Sequence, residues 1–262
     1  MWNRSYAACM VVFLCAFSTF SFRADAKDWK AELDEGYAAH SSKPLTEFLE
    51  AWHAESKPVS AEMLAKKPAF EQDVYAIFQV LYQPDQQLYK DTAYAVVQDK
   101  IAVTIVDSDL QRVFDQGIYS DLDWLFDLPS ISKMKVEDFR PAVAGTGKKI
   151  LYYKYKYIYT LARFICQDDE QGYEHLLHED NTSQQRIDRL EYLSPQLDVI
   201  RGHWGSGWHF ETHPYVEAVF FSSDKKRAAV SYRVGYEFGE ALLFKSAEGK
   251  WTVKEQGLTG VE

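Results

Sequence analysis

An alternation of apolar and polar residues dominates the last part of the chain. Within residues 227–236, every even-numbered position is apolar or aromatic, and most odd-numbered positions are small or charged. Because successive side chains of a β-strand point to opposite faces, this period predicts a half-buried strand with one face in solvent. Val216, Ala218 and Phe220 show the same period just before it.

Polar stretches separate this strand from its neighbours. Residues 222–226 and 246–250 have the composition of turns, residues 241–244 are apolar on both faces, and Trp251 begins a last apolar alternation. Loops this short join antiparallel strands, because a parallel crossover needs about a dozen residues or more. The segment 208–262 is therefore predicted to form an antiparallel meander of at least four strands. The predicted inward side chains are Val216, Phe220, Val230, Tyr232, Val234, Leu242 and Trp251.

Apolar residues recur at helical spacing before this sheet. One run has Pro44 in its first turn, and a second lies between Pro68 and Pro84. A third begins with a capping box at residues 182–185 and ends at Pro195. The i, i+3, i+4, i+7 spacing of the first two runs predicts amphipathic helices, and the third is predicted from its capping box and its three apolar residues. The apolar positions are, in order, Leu45, Phe48, Leu49, Trp52, Phe70, Val74, Ile77, Phe78, Leu81, Ile187, Leu190 and Leu193.

The middle of the chain is more varied. Residues 92–97 and 101–106 are rich in β-formers and flank Asp99-Lys100, which predicts a hairpin. Residues 107–141 are acidic and aromatic and are interpreted as loops with one or two short helices. Residues 148–159 alternate tyrosine with lysine, a strand-like period, before helical spacing takes over. This segment is predicted to be extended and to lead into a helix that ends near Gln167.

The order of these elements predicts the fold class. N-terminal and central helices in residues 27–200 are expected to pack on a C-terminal antiparallel meander sheet of about residues 203–262. Helices followed by a separate run of strands are typical of the α+β class. We expect residues 27–262 to form a single domain of this kind, since their number suits one large domain.

Residues 1–26 have the pattern of a signal peptide. Arg4 supplies a positive charge, residues 6–20 are almost wholly apolar, and Ala24-Asp25-Ala26 fits a cleavage site. The apolar run is shorter than the ~20 residues of a membrane-spanning helix. The prediction is export to the periplasm or the extracellular space, with no membrane span after cleavage; a retained N-terminal anchor is the alternative. Cys166 is then the one cysteine of the mature chain, so no intramolecular disulfide is possible.

Composition narrows the classes of partner. The chain is 47% hydrophobic, 15% aromatic and carries a net charge of −10. Nucleic acids and anionic membrane surfaces select basic proteins, so both are disfavoured as partners. The tyrosine–lysine run could stack on single-stranded nucleic acid, but a tyrosine-rich inner face with lysines in solvent is the simpler interpretation. The expected partner is a small molecule or a protein.

Two groups of histidine and glutamate contain the residue types of a metal site. His175, His178 and Glu179 share one face of a helix but match no metalloprotease motif. His209 and His213 flank Glu211 on one face of a strand, yet their Cα atoms would lie ~13 Å apart, too far to share one zinc ion readily. No metal and no cofactor are predicted.

The best candidate for a ligand site is the segment 202–211. Glycines at positions 202, 205 and 207 let the backbone approach a ligand closely. Aromatic rings and titratable groups are interleaved between them, as in pockets with apolar walls and a few directed polar groups. The candidate residues are His203, Trp204, Trp208, His209 and Glu211, with Tyr215, Tyr232 and Tyr236 as further rings of a groove. In the structural alternative, the tryptophans seal a junction and the histidines bond to backbone carbonyls.

Several motifs together resemble those of an uncharacterised family of exported bacterial proteins. They are Phe139-Arg140-Pro141, the tyrosine-rich helix, Gly202-His203-Trp204-Gly205-x-x-Trp208-His209, Tyr236-x-x-Gly239-Glu240-Ala241 and the strand of Trp251. The resemblance covers most of the chain after residue 26, implies export and assigns no activity. The order of helices and sheet is also similar to the cone-shaped fold of the nuclear-transport-factor-2 group, which implies a cone-like arrangement and no particular function.

Two classes of function follow. The first is an exported module that binds a small ligand or a partner without catalysis. The second is a hydrolase or lyase in which His203 or His209 is the general base in a tryptophan-lined cleft. The sequence contains no complete nucleophile, metal or cofactor motif, which favours the first class.

Overall fold

The computed structural model of the protein describes residues 27–82, 92–107, 110, 125, 128–143, 147–167, 183–201, 208–210, 214–235 and 237–261. Its helices are α1 (Trp29–Ala38), α2 (Lys43–Glu55), α3 (Ala61–Ala65), α4 (Ala69–Leu81), α5 (Tyr155–Cys166) and α6 (Gln184–Leu193). Its strands are β1 (Tyr94–Val97), β2 (Ile101–Val106), β3 (Ser130–Val136), β4 (Lys149–Tyr152), β5 (Ile200–Arg201), β6 (Trp208–His209), β7 (Tyr215–Phe221), β8 (Arg227–Val234), β9 (Glu237–Lys245) and β10 (Trp251–Val261). The predicted α+β class is confirmed.

The main sheet has six strands in the order β10-β9-β8-β7-β2-β3. Its last four strands along the chain, β7 to β10, pair antiparallel with one another, which confirms the predicted meander. Strand β2 joins β7 in parallel. The turn before β8 closes through a hydrogen bond from Ser222 N to Arg227 O of 3.0 Å. The turn before β10 contains Gly249 at φ +81°, a conformation that favours glycine. A second, two-stranded sheet pairs β1 with β4 in parallel.

The predicted hairpin of residues 92–106 is wrong. Both strands exist, but β1 pairs with β4, and β2 lies between β3 and β7 in the main sheet. Gln98 is buried and lies in the chain between the two strands. Its Nε2 donates to Val216 O at 2.8 Å, and its Oε1 accepts from Val216 N at 2.7 Å. A side-chain amide thus bonds to the backbone of β7, and the chain passes from one sheet to the other.

The expectation of loops and short helices across residues 107–141 is wrong for β3. Strand β3 pairs antiparallel with β2 along its whole length and forms one edge of the main sheet. Its sequence contains three β-formers, Ile131, Met134 and Val136, spaced by serine and lysine. An edge strand that is half in solvent tolerates such polar residues, so its sequence shows little apolar alternation. For this reason the sequence pattern does not predict β3.

One face of the main sheet packs against α4. We call this the α4 core, which includes Val74, Ile77, Phe78, Val219, Phe221, Val230 and Leu243. The predicted inward residues Val216, Val230, Tyr232 and Trp251 belong to it, and Val234 packs against it. Asp73 on α4 is buried at this interface, where it accepts hydrogen bonds from Lys245 Nζ at 2.6 Å and from Trp251 Nε1 at 3.0 Å.

Phe220 and Leu242 lie on the other face, contrary to prediction. The pairing of β7 with β8 shifts between Val216 and Ala218, so that a bulge at Glu217 reverses which later residues of β7 face α4. The second face of the sheet, which was predicted to lie in solvent, is partly buried. Its apolar end is buried and comprises Val106, Leu110, Leu125, Ala218, Phe220, Ala229 and Leu242.

Helices α1, α2, α5 and α6 form a separate core around α2. We call it the α2 core; its buried residues include Leu45, Phe48, Leu49, Trp52, Leu151, Leu161, Phe164, Leu190, Leu193, Leu197 and Phe210. The predicted apolar positions of α2 are all buried, and those of α4 are buried apart from the half-buried Phe70. Trp52 joins α2 to β4, since its Nε1 donates to Tyr152 O at 2.8 Å.

Side chains of α2 pair with the tyrosine–lysine run of residues 148–159. It forms β4 and the first turns of α5, so its tyrosines enter the helix earlier than the alternation predicts. Lys149 pairs with Glu50, and Lys154 and Lys156 pair with Glu55 at 3.3 and 2.7 Å. Tyr157 stacks on Trp52 with ring centroids 5.1 Å apart. The lysines therefore meet carboxylates of the neighbouring helix.

Stability at low pH should depend on Glu55. Hydrogen bonding to Lys156, helped by Tyr157 and Lys154, lowers the pKa of this carboxyl from 4.5 to about 2. The ionised form is favoured in the folded state, so its contribution is present above pH 4.5 and is lost as the pH falls towards 2. Because the side chain is 43% exposed, we expect a modest slope. Glu55→Gln should flatten the decline of melting temperature between pH 5 and about 2, and an unchanged decline would contradict this role of the carboxylate.

Candidate functional site

The predicted ligand segment is described in part. His203, Trp204 and Glu211 lie outside the described residues, as do Tyr236 and the earlier metal candidates His175, His178, Glu179 and His213. Of the five predicted site residues, the structure places two, Trp208 and His209, on β6. The grouping of all five into one site stays a prediction.

Strand β6 pairs antiparallel with β5. Ile200 is opposite His209, and Arg201 is opposite Trp208. His209 is half-buried, and the next residue, Phe210, is buried in the α2 core. The chain enters the α4 core at Val216 shortly afterwards. The described part of the segment therefore leads from its pairing with β5 into the α2 core.

A buried ion pair lies just before β5. Lys148 Nζ is 3.7 Å from Asp198 Oδ2 and 3.2 Å from Thr92 Oγ1. The Lys148 and Asp198 side chains are 9% and 10% exposed, and Thr92 is buried as well. The hydroxyl of Thr92 donates to Tyr94 O at 3.3 Å, so it can accept from the ammonium. We call Thr92, Lys148 and Asp198 the β5 triad.

Strand register brings the β5 triad together. Tyr94 on β1 is in register with Lys149 on β4, and it also forms a parallel bridge with Leu197. Each triad residue lies one or two positions from one of these three residues. Three chain segments at least fifty residues apart in sequence thereby place a hydroxyl, an ammonium and a carboxylate at one edge of the small sheet.

Burial makes this arrangement costly. Removing a charged group from water has an effective penalty of several kcal/mol, which good geometry and extra hydrogen bonds must offset. The separation of 3.7 Å is long for a charge-assisted hydrogen bond, so the pair is not in the tightest geometry available. Buried charges of this kind mark candidate functional sites, although structural ion pairs have the same appearance. No sequence motif pointed to these residues.

Another buried pair has a structural role and offers a comparison. Arg189 on α6 donates from Nη1 to Asp34 Oδ1 at 2.5 Å and to Phe164 O at 2.7 Å. Its guanidinium also lies over the rings of Tyr37 and Phe164. These contacts join α1, α5 and α6 and give Arg189 a structural role.

The aromatic groove predicted from the tyrosines is wrong for Tyr232. Its ring is buried in the α4 core, and its hydroxyl donates to Gly257 O at 3.3 Å. Burial, followed by the nearby Glu240 carboxylate, raises the pKa of this phenol. Tyr215 is half-buried at the start of β7. Tyr232 is therefore part of the core and cannot line a groove.

A pocket of about 280 Å³ opens beside α4. It is lined by Phe78, Gln79 and Tyr82 and by Ala142 and Val143. It borders the α4 core, whereas the β5 triad borders the α2 core. Within the described ranges, no three His, Cys, Asp or Glu side chains are grouped so that they could hold a metal ion.

Comparison with models of known families, with curated proteins and with solved structures found no match to this chain. In the part of the chain that the structure describes, none of the helices is both long enough and apolar enough to cross a membrane.

Proposed function

We propose that this protein is an exported, non-catalytic module that binds a small polar ligand beside β5 and β6. The observation that carries the proposal is the β5 triad, a hydroxyl, an ammonium and a carboxylate buried together next to these strands. The predicted residues His203, Trp204, Trp208, His209 and Glu211 would supply the remaining contacts. Export is proposed from the pattern of residues 1–26.

The chemistry of these residues suits a sugar ring. The ammonium offers donors and the carboxylate accepts only, so that a ligand hydroxyl finds a partner whether it accepts or donates. Tryptophan rings offer an apolar face for the C–H groups of a sugar. Ligand sites typically combine apolar walls with a small number of directed polar groups, as this set would.

Sugar binding can be tested by saturation-transfer NMR with N-acetylglucosamine and maltose as probes. We expect signals with the wild-type protein for at least one sugar. Lys148→Met and Thr92→Val should abolish them in protein that is still folded by circular dichroism. Breaking the ion pair should cost about 3 kcal/mol, whereas loss of the Thr92 hydroxyl should cost about 1 kcal/mol.

Arg189→Met is the control, because it also removes a buried cation from an ion pair; the Arg189 and Asp34 side chains are 10% and 31% exposed. It should lose stability and retain the sugar signals. An absence of signal from wild-type protein with both probes would contradict sugar binding. Conversion of maltose to a new species in the same spectra would instead identify a hydrolase, the class in which His203 or His209 is the general base.

A further inference from the structure

We propose that the pocket beside α4 is a second binding site, separate from the β5 triad, and that it takes a small, flat, uncharged ring compound. The pocket of about 280 Å³ is slightly smaller than the range of about 300–1,000 Å³ that holds drug-sized ligands. A ligand of one or two rings fits this size. The proposal involves none of the residues assigned to the sugar site.

Two stacked rings form one wall of the pocket. Phe78 and Tyr82 lie one helical turn apart on and just after α4, with ring centroids 4.7 Å apart and planes at 18°. Phe139 holds Phe78 from its other side in an edge contact at 5.0 Å. A planar ligand can extend this stack, because aromatic rings prefer offset-stacked and edge-on neighbours.

The opposite wall is fixed by backbone hydrogen bonds. Phe139 N donates to Asp99 O at 2.8 Å, and Arg140 O accepts from Val59 N at 2.9 Å. Tyr152 OH donates to Pro141 O. These bonds fix residues 139–141, which lead directly into Ala142 and Val143. A ligand would therefore not have to order the start of this wall on binding.

Gln79 provides the directed polar group. Its Nε2 donates to Ala142 O across the pocket at 3.3 Å, a long hydrogen bond. The amide can offer a donor or an acceptor to a ligand hydroxyl. The five lining residues include no charged side chain, so an ionic ligand would lose hydration without gaining a counter-charge. An uncharged ring with one hydrogen-bonding group matches this lining.

Phenol and cyclohexanol are matched probes, since they share size and hydroxyl and differ in flatness. Methyl NMR of the intact protein should show phenol shifting the signals of Val143 and Ala142, with an affinity about 5-fold higher than that of cyclohexanol. Val143→Trp, which fills the pocket, should abolish the phenol response. Ile131→Trp, at a 57% exposed position on β3, is the control and should leave it unchanged.

Gln79→Leu tests the site without filling it and changes an exposed side chain of α4. It should weaken phenol binding several-fold in a folded protein. The proposal is overturned if phenol leaves both methyl signals unmoved, if cyclohexanol binds as well as phenol, or if the folded pocket variants bind like wild type. Because the sugar probes report on other residues, either site can fail in these experiments while the other is upheld.

Discussion

Val230→Asp is expected to prevent folding. Val230 is fully buried on β8, in register with Val219 on β7 and Ala241 on β9, and it faces α4. An unpaired carboxylate at this position would lose its hydration among apolar side chains, at a cost of several kcal/mol. That cost is comparable with the whole stability of a typical domain, about 5–15 kcal/mol. Soluble yield and far-ultraviolet circular dichroism are the measurements.

The neighbouring residue provides the control. Ser231 points to the second face, where its hydroxyl donates to Glu217 Oε2 at 3.0 Å. The residue is half-buried, so Ser231→Ala should cost about 1 kcal/mol and leave a folded protein. Equal melting temperatures for the two variants would show that the assignment of faces on β8 is incorrect.

Gly239→Val is expected to destabilise the protein by about 3 kcal/mol, the upper part of the usual range for overpacking. A Cβ atom at this position would overlap Cε2 and Cζ of Tyr232 and lie 2.9 Å from its Cδ2. Tyr232 is buried and bonded to Gly257, so it has little room to move. Valine is otherwise favoured over glycine in a strand, which makes the sign of the effect informative. Thermal or denaturant unfolding measures it.

A double-mutant cycle separates this overlap from other effects. In a Tyr232→Ala background, Gly239→Val should cost much less, because the overlapping ring is gone. Gly260→Val is the matched control on β10, where a Cβ atom would meet only Phe238 at an ordinary 3.7 Å. A large loss for Gly260→Val, or no rescue in the Tyr232→Ala background, would contradict the steric explanation.

Local pattern predicted the elements that bury one face. Helices α2 and α4 follow their apolar spacing, and proline marks their limits at residues 44, 68 and 84. The meander from β7 to β10 follows from alternation and from turns too short for a crossover. In these segments the neighbours along the chain are also the neighbours in space, so the sequence period carries the necessary information.

Local patterns could not predict which distant strands pair with one another. Strands β1 and β2 have the composition of a hairpin, but the amide of Gln98 ends their alignment and bonds to β7 instead. At Glu217 a single extra residue reverses the faces of β7, because the side-chain period of a strand is two. Neither the hydrogen bonds of Gln98 nor the bulge at Glu217 can be recognised from amino-acid composition. Both depend on contacts between residues more than ten positions apart.

The same distinction between local sequence pattern and long-range contact applies to the candidate sites. Sequence alone identified the glycine-rich segment with His203, Trp204, Trp208, His209 and Glu211 as a place of unusual chemistry, because those residue types lie together in the chain. Thr92, Lys148 and Asp198 are unremarkable in sequence and meet only through the register of β1 with β4 and Leu197. The pocket between Phe78 and Val143 likewise exists only where α4 lies against residues 139–143. Sequence thus determined the elements and their buried faces through local periodicity, whereas tertiary structure decided which distant polar and aromatic groups lie together, since that depends on strand order and register.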